Sequence, residues 1–312
     1  MFRKYLPTFP ESLSYKNFSS HGKKMQDFFF DKQVQSLLMR ITGLDYDKVF
    51  KVKNKKMSAP KYDFVTDKRL KRLQNIAAYK AKLKLQMPPM IEVREPVDEV
   101  LSKDPELQGF LDYKLVFTDI SPGVSAKDRM ITVREIDGTL RKASWEERSY
   151  MNQIFFPEPG RNLETPKLFE SPYLERLLDE ESYIFVLDAA CIQFEPDDPE
   201  YHRVTHETYD HIRLKKKFDI LRSTRHFGPM AFYFAYEKNI DALLVDMIER
   251  ELVSDAFDTI RLLYILHPEL KLFENIDEAN ELEFMQDYVN RNTSSEKANL
   301  ELAFQTYLEK QT

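Results

Sequence analysis

Three histidines close together along the chain are the first candidates for chemistry in this sequence. They are His202, His206 and His211, with Glu207 and Asp210 among them. His202 and His206 stand four residues apart, a spacing that puts both side chains on one helix face and that zinc sites use. The His-Glu-x-x-His order is missing, because Glu207 follows His206 and the next histidine is five residues on. The hypothesis of a metal-dependent enzyme therefore rests on this pair alone. We interpret these residues as histidines on a helix surface.

The single cysteine does not strengthen the case for catalysis. Cys191 lies in a mostly apolar stretch from Phe185 to Ile192, where a thiol is expected to be buried and inert. The sequence contains no Gly-x-Ser-x-Gly, no phosphate-binding P-loop and no Gly-x-Gly-x-x-Gly. We therefore predict a protein that is not an enzyme, with no cofactor, no metal and no small-molecule substrate.

Clustered Lys and Arg residues offer a different chemistry, since they can neutralise phosphates without reading bases. One cluster covers residues 48–84, where aromatic residues that can stack on bases are interleaved. The other covers residues 213–225, within an otherwise acidic part of the chain. The candidate RNA-binding residues are Lys51, Lys53, Lys55, Lys56, Lys68, Arg69, Lys71, Arg72, Lys215, Lys216 and Lys217.

Both clusters have an alternative interpretation. The first is also compatible with a solvated linker and helix, or with contact to an acidic protein surface. For the second, phosphate contact and neutralisation of nearby Asp and Glu side chains fit the sequence equally well.

Charge is divided unevenly along the 312 residues. Residues 1–90 hold 20 Lys and Arg against 7 Asp and Glu, a net charge of +13, whereas the remainder carries −19. Such a division favours a basic segment that meets RNA and an acidic body that meets proteins.

The first 24 residues have a composition of their own, with five Lys and Arg, four Ser and a single acid, Glu11. This composition is typical of a mitochondrial presequence. A disordered basic tail is the alternative, because Pro7 and Pro10 interrupt any amphipathic helix. We predict a presequence over residues 1–24 and, after it, a basic extension with two helices over residues 25–90.

The elements that would position these residues can be predicted from spacing and capping signals. In the extension, we expect a helix over residues 31–41 that stops at Gly43, and a second helix that Thr66 caps. Residues 91–160 are predicted to form a small α+β module. Its strands are expected at residues 91–94, 114–119, 130–136 and 139–142, with Asp137-Gly138 as the hairpin turn. Ser144 and Glu147 form a capping box that starts a helix at Trp145, which we expect to be buried.

Residues 161–312 are predicted to form a helical domain. The expected helices cover residues 171–194, 199–214, 217–236, 239–252, 254–267, 278–291 and 295–310. No clean repeat is visible, so the predicted fold is mainly α: an irregular array of helical hairpins, preceded by the α+β module and the basic helical extension. No apolar run approaches the roughly 20 residues that a membrane span needs.

Three stretches of this sequence resemble a known family. They are Lys114–Ser121 (KLVFTDIS), Val133–Arg148 (VREIDGTLRKASWEER) and Phe218–Phe227 (FDILRSTRHF). From about residue 30 onward the chain is similar to the animal mitochondrion-specific ribosomal proteins of the small subunit numbered twenty-two.

The resemblance implies a structural constituent of the mitochondrial ribosome in the matrix, with no catalytic roles. It also implies partners: other small-subunit ribosomal proteins and small-subunit rRNA. On the helices and basic segment alone, a mitochondrial helical-repeat RNA-binding or adaptor protein is the alternative.

Overall fold

The computed structural model describes residues 24–51, 62–97, 99–109, 112–270, 281–291, 294 and 296–311. Thirteen α-helices and four short strands lie within these ranges, so the fold is mainly α, as predicted. None of the helices in these ranges is long and apolar enough to cross a bilayer.

Three short helices lie near the N-terminus: α1 (Met25–Phe29), α2 (Lys32–Thr42) and α3 (Tyr46–Val49). The first two contribute buried residues to the core of the protein, whereas α3 has none. Asp31 caps α2 by accepting hydrogen bonds from the backbone N–H groups of Gln33 and Val34. The helix ends at Gly43, whose φ of 72° suits glycine, so the predicted stop is confirmed. Four apolar side chains of α2 are buried: Val34, Leu37, Leu38 and Ile41.

The next helix, α4 (Asp67–Lys84), is almost entirely exposed. Thr66 caps it by accepting a hydrogen bond from the N–H of Arg69, as predicted. Ala81 is its one buried residue. Helix α4 packs against α3. Helix α4 is therefore attached at its C-terminal end and projects from the body.

The α+β module contains an antiparallel sheet in the order β1-β4-β3-β2. Its strands are β1 (Val100–Lys103), β2 (Leu115–Thr118), β3 (Ile131–Arg134) and β4 (Thr139–Lys142). Three of the predicted strands are confirmed. The strand predicted at residues 91–94 is wrong, because this segment turns to the helical body, where the Arg94 N–H donates to the Asp197 carbonyl. The fourth strand is instead β1, which pairs with β4 across an irregularity between Val100 and Ser102.

Helix α5 (Trp145–Phe155) follows β4 and packs against the sheet through Met151. Its capping box is confirmed: Glu147 N–H donates to Ser144 Oγ, and Ser144 N–H donates to the Glu147 carboxylate. The module has a small core of its own, made by Ile131, Val133 and Ala143 with Met151 packed against them.

The remaining helices form the body. They are α6 (Tyr173–Asp179), α7 (Tyr183–Gln193), α8 (Pro199–Lys215), α9 (Phe227–Tyr236), α10 (Asp241–Glu249), α11 (Val253–Leu266), α12 (Glu281–Arg291) and α13 (Lys297–Gln311). Two predictions are wrong in detail. The helix expected over 171–194 is two helices, broken at Glu181 with φ 55°, and the helix expected over 217–236 begins only at Phe227, after Ser223 at φ 61°.

Helix α9 lies at the centre of the body. Apart from Tyr233 and Tyr236, its residues are buried, and α2 and α11 pack against it. The Phe29 ring meets the Phe232 ring edge to face, with centroids 5.2 Å apart. The N-terminal segment therefore completes a core built mostly by residues 170–305. The division of the chain into four segments remains a prediction, although the described part of residues 25–90 contains four helices and not the two that were predicted.

Candidate RNA-facing surface

One face of α4 carries four cations that have no acidic partner among the described residues. At helical spacing it presents Lys68, Lys71, Arg72, Asn75, Tyr79 and Lys82, all exposed, which we call the basic face. Within the described residues, no carboxylate lies at ion-pairing distance from these four cations. Their charge is therefore available to an external partner.

Two other cations of α4 have local partners. Arg69 lies outside the basic face and faces Asp63, with 3.6 Å between Nη2 and Oδ2. Lys84 Nζ donates to the Val49 carbonyl at 3.1 Å and sits 5.0 Å from the Phe50 ring centroid. Lys51 is exposed beside this cluster. Lys53, Lys55 and Lys56 lie outside the described residues.

Aromatic side chains accompany the basic face. Tyr62, Phe64 and Tyr79 are among the most exposed rings of the chain. By contrast, Tyr46 stacks on Phe50, with ring planes 4° apart. Three of the five aromatic residues in this region are therefore open to stacking on a ligand.

The second basic cluster is mostly neutralised inside the protein. Arg213 pairs with Asp210 at 3.3 Å, and Lys215 lies 3.6 Å from Asp179. Lys217 pairs with Glu181 at 2.9 Å. Lys216, at the left-handed end of α8, is exposed and has no carboxylate partner within the described ranges. This geometry favours the second interpretation of the cluster, in which its cations balance nearby acids.

The motif at residues 218–227 is a centre of internal ion pairs. Asp219 lies between Lys48 and Arg250, at 3.0 and 3.5 Å, so it links α3 to α10. Arg222 pairs with Asp255 of α11 at 2.6 Å. Three apolar residues of the motif are buried, Phe218, Leu221 and Phe227, and Ile220 is partly buried. The charged residues of the motif hold helices together and leave little for an external ligand.

Asp188 of α7 is the partner of the remaining basic residues of this motif. Its Oδ1 accepts from Arg225 Nη2 at 2.7 Å and lies 2.9 Å from His226 Nε2. Burial raises the pKa of Asp188, but the hydrogen bond from His226 and the charges of both partners outweigh it and hold the pKa at about 2. The carboxylate is therefore ionised near neutral pH and serves as a structural anchor.

The motif at residues 133–148 is also explained by structure. Arg141 of β4 makes two hydrogen bonds to Glu147 of α5, both of 2.8 Å, and bonds Glu135 at 2.6 Å. The hydrogen bonds from Arg141 lower the pKa of Glu147 to about 2. This clamp joins the sheet to the capping box of α5.

His202 and His206 are packing residues, so the prediction that they lie on the surface is wrong for these two, whereas His211 is partly exposed and lies 3.4 Å from Asp179. His202 is buried, with Nε2 3.1 Å from the Pro196 carbonyl oxygen. His206 stacks on Tyr233 at a centroid distance of 4.3 Å, and burial lowers its pKa to about 3. Within the described ranges, no group of three or more His, Cys, Asp or Glu residues is arranged to hold a metal ion. The sequence signal for this burial is the row of apolar and aromatic residues at helical spacing around them, such as Tyr209.

Cys191 is partly buried, where its sequence context predicted a buried thiol. Its Sγ lies 3.7 Å from the hydroxyl oxygen of Tyr201, and burial raises the pKa of the thiol. A thiol with a raised pKa is a poor nucleophile.

Sequence reasoning missed the residue that joins the module to the body. Arg94 forms ion pairs with Asp198 and, at 3.7 Å, with Asp197, and its guanidinium lies 4.8 Å from the ring centroid of Trp145. Trp145 is half-buried rather than part of a core, with Arg148 5.3 Å from its ring. Its indole N–H donates to the Glu95 carbonyl at 2.7 Å.

These features define a class: a helical structural protein whose distinctive motifs are used for internal packing. The sequence model of the family described as mitochondrial 28S ribosomal protein S22 matches residues 27–268. The chain belongs to this family, so the resemblance seen in its three motifs is confirmed.

Two mammalian proteins are similar over most of their length. The small ribosomal subunit protein mS22 of Bos taurus is 42% identical over 294 residues, covering 93% of this chain and 81% of that protein. The small ribosomal subunit protein mS22 of Mus musculus is 41% identical over 283 residues, covering 90% of this chain and 79% of that protein. The chain is therefore a structural, non-enzymatic protein of the mitochondrial ribosome, located in the matrix, and the adaptor hypothesis is set aside.

Proposed function

We propose that this protein, as a constituent of the mitochondrial small subunit, uses the basic face of α4 to bind the phosphate backbone of small-subunit rRNA. The acidic helical body contacts neighbouring ribosomal proteins in this proposal. One observation carries it: the cations of the basic face have no acidic partner among the described residues, whereas those of the second cluster mostly do.

Electrostatics supports an anionic partner for α4. The helix carries seven Lys and Arg residues and one acid, Asp67. Like charges three and four residues apart destabilise an isolated helix, and phosphates relieve that repulsion while releasing counterions. From Lys68 to Lys82 the face is about 21 Å long at 1.5 Å per residue, enough to follow several phosphates.

The exposed aromatic rings add a second type of contact. Tyr79 lies within the basic face, and Tyr62 and Phe64 precede the helix. Aromatic side chains beside a basic track stack on unpaired bases in many RNA-binding proteins. Lys51, Lys53, Lys55 and Lys56 extend the same track in sequence and stay part of the proposal.

The second cluster contributes less in this proposal. Lys215 and Lys217 would have to leave their acidic partners to reach a phosphate, while Lys216 would not. We therefore expect Lys216 to be the best RNA-contact candidate of the three.

The test reverses charge on the basic face in the full chain, as Lys68→Glu, Lys71→Glu and Arg72→Glu together. Recovery of the protein with purified mitochondrial small subunits is measured over a series of salt concentrations. We expect weaker association and a shallower salt dependence, with the log–log slope reduced by up to about 3, because three phosphate contacts are lost.

A matched control carries the same change in net charge at scattered, exposed positions: Lys32→Glu, Lys103→Glu and Lys167→Glu. The control should retain the slope of the unmodified protein. An unchanged slope for the α4 variant, or an equal change in both variants, would show that this face does not contact phosphate.

A further inference from the structure

We infer that a second face of α4 docks an amphipathic helix of a neighbouring small-subunit protein, one that carries acidic residues beside an apolar ridge. This face consists of Leu70, Leu73, Ile76 and Leu83, which we call the apolar stripe. The inference goes beyond the proposed RNA contact, since it concerns different side chains and a different class of partner.

The apolar stripe is uncovered in the described structure. Leu70, Leu73, Ile76 and Leu83 expose 44%, 49%, 41% and 55% of their surface. The buried positions at the C-terminal end of α4 are Ala81 and Leu85, which anchor the helix to the body. An exposed row of large apolar side chains on a soluble protein marks an interaction surface, and a projecting helix gains much of its stability from packing.

The spacing of the stripe fits a helical partner. Leu73, Ile76, Lys80 and Leu83 are separated by three, four and three residues, which is the a/d spacing of a two-helix seam. Leu70 lies one turn before Leu73 and widens the seam. Aliphatic side chains offer neither hydrogen bonds nor aromatic faces to a nucleic acid, so this face suits protein rather than RNA.

Charge complementarity selects the kind of helix. Lys80 occupies one seam position, and Arg69 and Lys84 lie beside the seam, within a helix of seven cations and one acid. A cation at a seam position favours a partner with an acid opposite it and disfavours other partners. A partner with an apolar ridge and acidic flanks satisfies both features.

The same charges argue against two other occupants. A second copy of α4 would bring one strongly basic helix against another. The second occupant would be residues 1–23 of the same chain, which are also basic, with four Lys and Arg and one acid, and would be repelled by α4. The chain's own segment 271–280 is acidic and contains Leu272, Phe273 and Ile276, so the experiment must distinguish it from an external helix.

The first experiment places a photo-reactive phenylalanine analogue at Leu73 in the full chain. Purified small subunits that contain this protein are irradiated, and cross-linked peptides are identified by mass spectrometry. We expect a cross-link to another ribosomal protein, in a segment with apolar residues at helical spacing and Asp or Glu beside them. A cross-link to rRNA, to a second copy or to residues 271–280, or no cross-link, would overturn the inference.

The second experiment compares recovery with small subunits for Leu73→Ser plus Ile76→Ser against Leu214→Ser, a leucine that is 74% exposed on α8. We expect the double variant to lose about tenfold in recovery at every salt concentration, because two central contacts are removed, while the control is unchanged. Lys80→Glu should weaken association more than Lys80→Ala. Thermal melting checks that all variants fold, as expected for exposed positions.

The proposals for the two faces of α4 can be contradicted independently of each other. A normal double variant beside a changed salt slope in the triple Glu variant overturns the apolar docking and leaves the RNA proposal. The converse result removes the RNA contact and supports the apolar docking.

Discussion

Several of the histidines are buried in the protein, and they set its response to acid. Burial lowers the pKa of His202, His206, His226 and His267, because the charged imidazolium is poorly solvated in the interior. For His206, on the Tyr233 ring, the pKa falls to about 3. In the unfolded chain these four imidazoles take up protons near pH 6.5, whereas in the folded protein they do so only at lower pH.

We therefore predict that stability falls as the pH is lowered from about 6.5 toward 3. His206 contributes at most about 1.4 kcal/mol per pH unit to this loss. His206→Phe preserves a ring against Tyr233 and removes the titration, so its free energy of unfolding should fall less steeply. Urea unfolding at several pH values measures the difference, and equal slopes in both proteins would contradict the assignment.

Gly138 supports the hairpin between β3 and β4 in two ways. Its φ is 84°, which glycine adopts without strain. Its carbonyl also accepts a hydrogen bond from the Asp104 N–H at 3.1 Å, and a Cβ at this position would overlap the Asp104 backbone carbonyl. The Asp-Gly turn was predictable from sequence, and the close approach of Asp104 was not.

We predict that Gly138→Ala lowers the free energy of unfolding by about 1–3 kcal/mol. Gly123→Ala is the matched control, since Gly123 has the same φ of 84° and open space around it. Chemical denaturation should show a smaller effect for the control, because it carries the backbone strain without the overlap. Equal effects would mean that the contact with Asp104 contributes nothing.

At the scale of elements, the junction between the module and the body depends on Arg94. Its side chain is 10% exposed, pairs with Asp197 and Asp198, and lies on the face of Trp145. Lys127 of the module adds a 2.8 Å ion pair to Asp197. Cation–π contact and partly buried ion pairs reinforce one another here.

We predict that Arg94→Ala lowers the free energy of unfolding by about 2–4 kcal/mol, because it leaves Asp198 without its partner in a poorly solvated place. Amide exchange should increase in α5 and near residue 197 before the core of the body is affected. Arg176→Ala, which removes an exposed pair with Glu180, is the control and should change stability by about 0.5 kcal/mol or less. Similar effects of both substitutions would contradict a role for Arg94 at the junction.

At the scale of the whole molecule, charge and packing divide the protein into two parts. In the body, cations of α8 and of the 218–227 motif are held by acids of other helices. On α4, four cations and four large apolar side chains face outward. A body whose cations are mostly paired with its own acids, and a projecting helix whose cations are not, are the properties of a component that completes its contacts in an assembly.

We predict that depletion of this protein lowers the amount of assembled mitochondrial small subunit generally. The physical reason is that, in the proposed arrangement, RNA and proteins that pack against α4 would lose a shared binding element. Sedimentation profiles of mitochondrial ribosomes measure this, with the large subunit as the internal control. A profile with normal small subunits and changes in only a few transcripts would favour an adaptor role instead.

The sequence by itself determined the features that depend on near neighbours in the chain. Helix α2 with its Gly43 stop, the Ser144–Glu147 capping box and the Asp137-Gly138 turn need only residues a few positions apart. The family followed from short continuous motifs for the same reason. The absence of a repeat correctly indicated an irregular helical array.

Only the tertiary structure decided what each charged or polar residue does. Lys215 is neutralised by Asp179 and Arg94 by Asp197 and Asp198, while the basic face of α4 has no such partner. The pairing of β1 with β4 and the burial of His206 were likewise decided only by the tertiary structure. Such outcomes depend on groups far apart in sequence, and no local spacing encodes which distant carboxylate, strand or ring will be adjacent.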